Sequence, residues 1–116
     1  MMSDAETLID EQLVAYNARD LTRFIATYSA DVEVFRPPAM QPVITGSGAL
    51  AEFYASTRFC HEGLRAEIVK RLVVGNLVSD HERVYGLPGG SLEVIATYQV
   101  AEGRIRRVWL FSPSIG

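Results

Sequence analysis

Apolar residues in the first half of this 116-residue chain recur at the three-and-four spacing of amphipathic helices; from Leu64 onward the composition turns to that of strands. Leu8, Ile9, Leu13 and Tyr16 form the apolar face of a first helix, and Ser3 and Glu6 have the Ser-x-x-Glu spacing of a capping box at its start. Gln12 sits on the same stripe, one turn from Leu8 and Tyr16. An amide there must find a partner or face a wet cavity, a first sign of a pocket. Asp20 is placed to cap a second, shorter helix with Leu21, Phe24, Ile25 and Tyr28 on one face. Asp31 to Arg36 then read as a strand, with Val32, Val34 and Arg36 on one side and Asp31, Glu33 and Phe35 on the other. Pro37, Pro38 and Pro42 make residues 37–46 a loop without regular structure. A third helix follows, with Ser47 as the expected cap and Leu50, Phe53, Tyr54 and Thr57 as its apolar face.

Residues 65–74 and 77–85 are strand-like and are joined by Gly75-Asn76, a two-residue hairpin signal. The glycine-rich stretch 86–90 leads into a strand over 92–100, and Ala101-Glu102-Gly103 turns the chain into a last strand over 104–112. Helices followed by consecutive strands predict an α+β fold in which a curved antiparallel sheet wraps the N-terminal helices around one internal pocket. On the last strand simple alternation puts Ile105, Trp109 and Phe111 on one face and Val108 and Leu110 on the other. Both faces are apolar, so the outer one is expected to be covered, and a homodimer through Ile105, Trp109 and Phe111 is the natural arrangement.

Length allows one ordinary domain over 1–116 and no second core. A net charge of −3 supplies no general field for nucleic acid. Arg104, Arg106 and Arg107 flank a hairpin and read as a solvated edge. Cys60 is the single cysteine, so no internal disulfide can form and a reducing, cytoplasmic setting is the default expectation. The acidic start Met1-Met2-Ser3-Asp4 lacks the signal-peptide pattern, and no apolar run approaches the ~18 residues of a membrane span. Cys60-His61-Glu62 has no further ligand at a suitable spacing, so no metal and no cofactor is expected.

The words Tyr16-Asn17-Ala18-Arg19-Asp20-Leu21, Tyr28-Ser29-Ala30-Asp31-Val32, Glu52-Phe53-Tyr54 and Glu102-Gly103-Arg104-Ile105 resemble the nuclear transport factor 2-like superfamily, and within it the SnoaL-like and ketosteroid-isomerase-like bacterial proteins. The resemblance covers nearly the whole chain and implies a cone-shaped α+β fold; that fold hosts isomerases, hydrolases, cyclases, dehydratases and binding modules, so it names no reaction. The isomerase positions for a catalytic tyrosine, a base and a protonated acid fall on Gln12, Arg36 and about Ala96. A guanidinium does not abstract protons at neutral pH. By likeness to limonene-epoxide hydrolase, Arg83 matches an active-site arginine, while the two carboxylate positions fall on Tyr85 and Leu110. What the resemblance does carry over is a lining, with Tyr28, Phe53 and Tyr54 at aromatic pocket positions.

The remaining polar candidates lie in Asp80-His81-Glu82-Arg83. Matching Arg83 to the hydrolase sends His81, Arg83 and Tyr85 into the cone; the isomerase alignment sends Asp80 and Glu82 in instead, and the first register is preferred. The primary expectation is a pocket for a small, mostly apolar ligand lined by Gln12, Tyr16, Tyr28, Phe53, Tyr54, Tyr85, Tyr98 and Leu110. Arg36 is positioned to pair with an oxyanion, or alternatively with Glu33 or Glu52. The second is an isomerase, cyclase or dehydratase using His81 as general acid or base with Arg83 and Arg36 beside it. The third is an association module whose pocket is filled by side chains.

Overall fold

Capping fixes where the helices begin. In the computed structural model, which describes residues 2–113, the Ser3 hydroxyl accepts from the Glu6 backbone N–H at 3.2 Å and starts α1 (Asp4–Asn17). The Asp20 carboxylate does the same for α2 (Leu21–Ala26), accepting from Arg23 N–H at 3.1 Å. The helix α3 (Ser47–Thr57) departs from expectation: Gly46 is the cap, at φ +90°, and Ser47 is already the first helical residue. Gly46 instead donates its N–H to the Val32 carbonyl, so the sheet holds the helix start in place of a side-chain cap.

The strands are β1 (Tyr28–Phe35), β2 (Ile44–Thr45), β3 (Arg65–Val74), β4 (Leu77–Tyr85), β5 (Leu92–Ala101) and β6 (Arg104–Phe111). They form one curved sheet in the order β2-β1-β6-β5-β4-β3, antiparallel except for the β1–β6 pair. The proline loop thus contains a two-residue strand, Ile44–Thr45, which covers the free edge of β1. Tyr28 opens β1 and does not belong to α2.

Two irregularities decide which side chains face the helices. In β3, Ile68 pairs with Glu82 and Lys70 with His81, leaving Val69 as an extra residue. In β6, Ile105 pairs with Val100 and Arg107 with Gln99, so Arg106 is extra. Such bulges reset the period-two alternation. Ile105 is therefore completely buried on the inner face, together with Val108, and does not accompany Trp109 and Phe111 to the outer face as simple alternation implied.

Polar contacts also fasten α1 to β3 and β4. Asn17 at the end of α1 pairs with both backbone groups of Ala66, donating to its carbonyl at 3.1 Å and accepting its N–H at 2.7 Å. Arg71 of β3 donates to both oxygens of Asp80 of β4, at 2.6 and 2.9 Å, and to Asp10 of α1 at 2.5 Å. Asp80 is 1% exposed, and it is stable there because a two-pronged guanidinium partner replaces water. Phe24 is fully buried at the centre of an aromatic cluster, with ring centroids 4.7 Å from Tyr54, 5.1 Å from Tyr28 and 5.2 Å from Phe59. No described helix is long and apolar enough to cross a membrane.

Candidate functional site

The open part of the cone is a cavity of about 230 Å³. From α1 come Gln12, Leu13 and Tyr16, from α3 and its end Tyr54 and Arg58, and from the end of β1 Arg36. The sheet contributes Glu82, Val84, Leu92, Val94, Tyr98 and Leu110, with Ser112 beyond the last strand. Among the residues singled out by sequence, Gln12, Tyr16, Arg36, Tyr54, Tyr98 and Leu110 come together here.

Others do not. Tyr28 is buried one layer behind the wall and reaches the site through Gln12, whose Nε2 donates to the Tyr28 hydroxyl at 2.9 Å. Phe53 is outside the lining and packs edge-on against Tyr54 at 5.4 Å. The preferred register of β4 is reversed. Its inner face carries Val78, Asp80, Glu82 and Val84, and the buried valines at either end fix that choice. His81, Arg83 and Tyr85 are consequently on the outer face. There His81 Nε2 lies 2.7 Å from Glu93 Oε1, Arg83 Nη2 lies 3.1 Å from the same oxygen, and Tyr85 stacks under Arg65 at 4.6 Å. The His81 and Arg83 contacts hold the Glu93 carboxyl below its ordinary value. With the arginine of the hydrolase comparison facing outward, the geometry of that comparison is absent.

Glu82, sent outward together with Asp80 in the preferred register, instead lines the cavity. Its Oε2 accepts from the Tyr98 hydroxyl at 3.0 Å, and Tyr98 also receives a long 3.4 Å contact from Gln12 Nε2. Burial in the apolar wall and the neighbouring Asp80 charge raise the Glu82 carboxyl from its ordinary 4.5 to about 7; the Tyr98 hydrogen bond and Arg71 offset only part of that rise. A carboxyl balanced near neutrality can give or take a proton. Burial pushes the Tyr16 and Tyr98 hydroxyls up as well, and Tyr54 up to about 12, so all three stay un-ionised at neutral pH with a wider margin than a free phenol has.

Arg36 and Arg58 line the same cavity. Neither salt bridge expected as the alternative for Arg36 forms among the described residues: Glu33 pairs with Arg107 at 3.3 Å, and Glu52 has no ion pair. Arg58 was missed because it follows the last periodic residue of α3. It lies over the Phe53 ring, 5.8 Å from the centroid, which fixes the guanidinium beside the cavity.

A family model for the SnoaL-like domain matches residues 9–108. The chain belongs to the SnoaL-like domain family. Its fold is that of the nuclear transport factor 2-like superfamily, as comparison with solved structures also shows. This SnoaL-like chain superposes on a "putative ketosteroid isomerase" from Kribbella flavida with a TM-score of 0.81 at 20% identity, covering 97% of this chain and 80% of that one. A "putative polyketide cyclase" from Sinorhizobium meliloti gives 0.76 at 18%, covering 94% and 99%. TerC, crystallised with polyporic acid, gives 0.79 at 17%, covering 96% and 92%. At these identities the likeness establishes the fold. No curated protein matches the SnoaL-like chain.

Proposed function

We propose that the protein binds a compact, mostly apolar carbonyl compound in the cone and moves one of its protons with Glu82. The observation that carries this reading is a single carboxyl, half-buried in the cavity wall and pushed up to about 7, facing a space of mixed apolar and polar lining. In the ionised form Glu82 takes a proton from the carbon next to the carbonyl and becomes the neutral acid. The electron pair moves onto the carbonyl oxygen, where the un-ionised Tyr16 or Tyr54 hydroxyl donates a hydrogen bond to it. Returning the proton to a different carbon completes an isomerisation; where the ligand carries a second carbonyl, the enolate carbon attacks it, its C=O π pair moves onto oxygen, and Glu82 returns the proton to that alkoxide as the ring closes. The cavity volume lies below the ~300–1,000 Å³ of pockets for drug-sized molecules, which restricts the ligand to a small ring system.

The test begins with mass spectrometry of small molecules retained through native purification. The retained compound is then incubated in D₂O and followed by proton NMR. Wild-type protein and His81→Ala exchange the proton next to the carbonyl, and Glu82→Gln does not. Exchange that survives in Glu82→Gln and disappears in His81→Ala contradicts the assignment.

The reading also includes a homodimer through the outer sheet face. Leu72, Val74, Ile95 and Phe111 are each more than a third exposed there, beside the stacked Phe35–Trp109 pair. Such a patch favours a second copy as its cover. Light scattering at micromolar concentration gives twice the chain mass on this reading, and Ile95→Glu with Phe111→Glu restores the monomer.

A further inference from the structure

Two guanidiniums, from the end of β1 and from the end of α3, face one small cavity. Both are partly withdrawn from water, and among the described residues neither has a carboxylate within salt-bridge distance. Every other arginine lining the inside of the sheet is paired: Arg71 has Asp80 and Asp10. Withdrawing two like charges from solvent without a counter-ion is unfavourable, and the arrangement becomes favourable when an anion joins them.

Resting on the proton-transfer reading above, we infer that the ligand carries a permanent carboxylate, held by Arg36 and Arg58. Arg58 lies over the Phe53 ring at 5.8 Å, and its Nη1 is 3.4 Å from the Thr57 carbonyl, which leaves its other guanidinium N–H groups available to an anion. The two arginines and Glu82 meet at the Tyr54 hydroxyl, which burial and the Glu82 charge push up and Arg58 and Arg36 push down. A ligand that sets a carboxylate at the arginines thus spans the same small cavity that Glu82 lines. A transient oxyanion alone needs no second cation, since Tyr16 and Tyr54 already supply neutral donors.

The probe is 2-naphthoate, compared with the same-shaped neutral 2-naphthamide, by calorimetry and by amide chemical shifts of the cavity residues. The expected result is binding of the carboxylate at least tenfold tighter than the amide. Arg36→Met and Arg58→Met each lose about tenfold for naphthoate and leave naphthamide unchanged, and Arg36→Lys recovers part of the loss. Arg107→Met, which removes an outer-face arginine, has no effect. Equal affinity for acid and amide, or naphthoate affinity unchanged in both methionine variants, overturns the carboxylate inference while leaving the pocket reading intact. A neutral molecule retained through native purification, with no naphthoate binding, overturns it as well. If neither probe binds and no molecule is retained, both readings fall together.

Discussion

Replacing Glu82 with Gln isolates the cost of keeping a carboxyl inside the cone. Gln keeps the shape and the acceptor for the Tyr98 hydroxyl but cannot ionise. In the wild type the folded value, about 7, stands above the ordinary 4.5, so between those values the folded chain binds more protons than the unfolded one. The stabilising contribution of Glu82 is complete below about pH 4.5 and is lost as the pH rises through about 7. At roughly 1.4 kcal/mol per pH unit, the interval from 4.5 to about 7 sets a ceiling of about 3.5 kcal/mol. Contact with the cavity, which is wide enough to admit water, brings the realised figure below that ceiling. Urea unfolding of both proteins at half-unit steps from pH 4.5 to 8 gives the difference directly, and titrations common to both cancel. Glu82→Gln is expected to gain 1–3 kcal/mol, as an order of magnitude, on the wild type across this range. A difference that stays flat, within about 0.5 kcal/mol, refutes the reasoning.

Three further substitutions test what positions the site. Arg71→Met leaves the buried Asp80 carboxylate without its cation and is expected to cost about 3–5 kcal/mol in urea unfolding, most of it recovered when Asp80→Leu is added. Gly86 has φ +85°, and a Cβ there would lie 2.1 Å from the Gly63 carbonyl oxygen, so Gly86→Ala is expected to cost at least about 2 kcal/mol. The reciprocal Gly63→Ala meets only Gly86 Cα at 3.6 Å and is expected to stay within about 0.5 kcal/mol of wild type. Asn17→Ala strips both backbone groups of Ala66 of their partner, which costs about 1–3 kcal/mol and loosens α1 from β3 in hydrogen exchange.

The architecture was legible because it rests on local signals. Helical spacing, the Ser3 and Asp20 caps and the turns at Gly75-Asn76 and Ala101-Glu102-Gly103 all appear as the sequence implied, with strand ends displaced by at most a few residues. Orientation within the sheet was less so, because bulges and partners far along the chain determine it. The extra residues Val69 and Arg106 are unremarkable letters in strands of ordinary composition, yet one brings Arg71 under Asp80 and the other buries Ile105. For β4 a signal did exist. Val78 and Val84 share the face of Asp80 and Glu82, and two β-branched apolar residues outweigh a histidine as markers of the buried side. The weight given to Arg83 by the hydrolase likeness hid it. Arg58 had no periodic signal at all, since it lies just past α3 and enters the cavity only through the way the helix end meets the sheet.

The central claim is that Glu82 faces the cavity and changes protonation near neutrality, and the most direct measurement is the carbon-13 shift of its side-chain carboxyl. Selective glutamate labelling, with Glu82→Gln to assign the resonance, gives the titration of this one group. The account requires a midpoint near 7 that moves when Tyr98→Phe removes the hydrogen bond favouring the ionised form, and the direction of that movement is upward. A midpoint near the ordinary 4.5, unaffected by Tyr98→Phe, contradicts it.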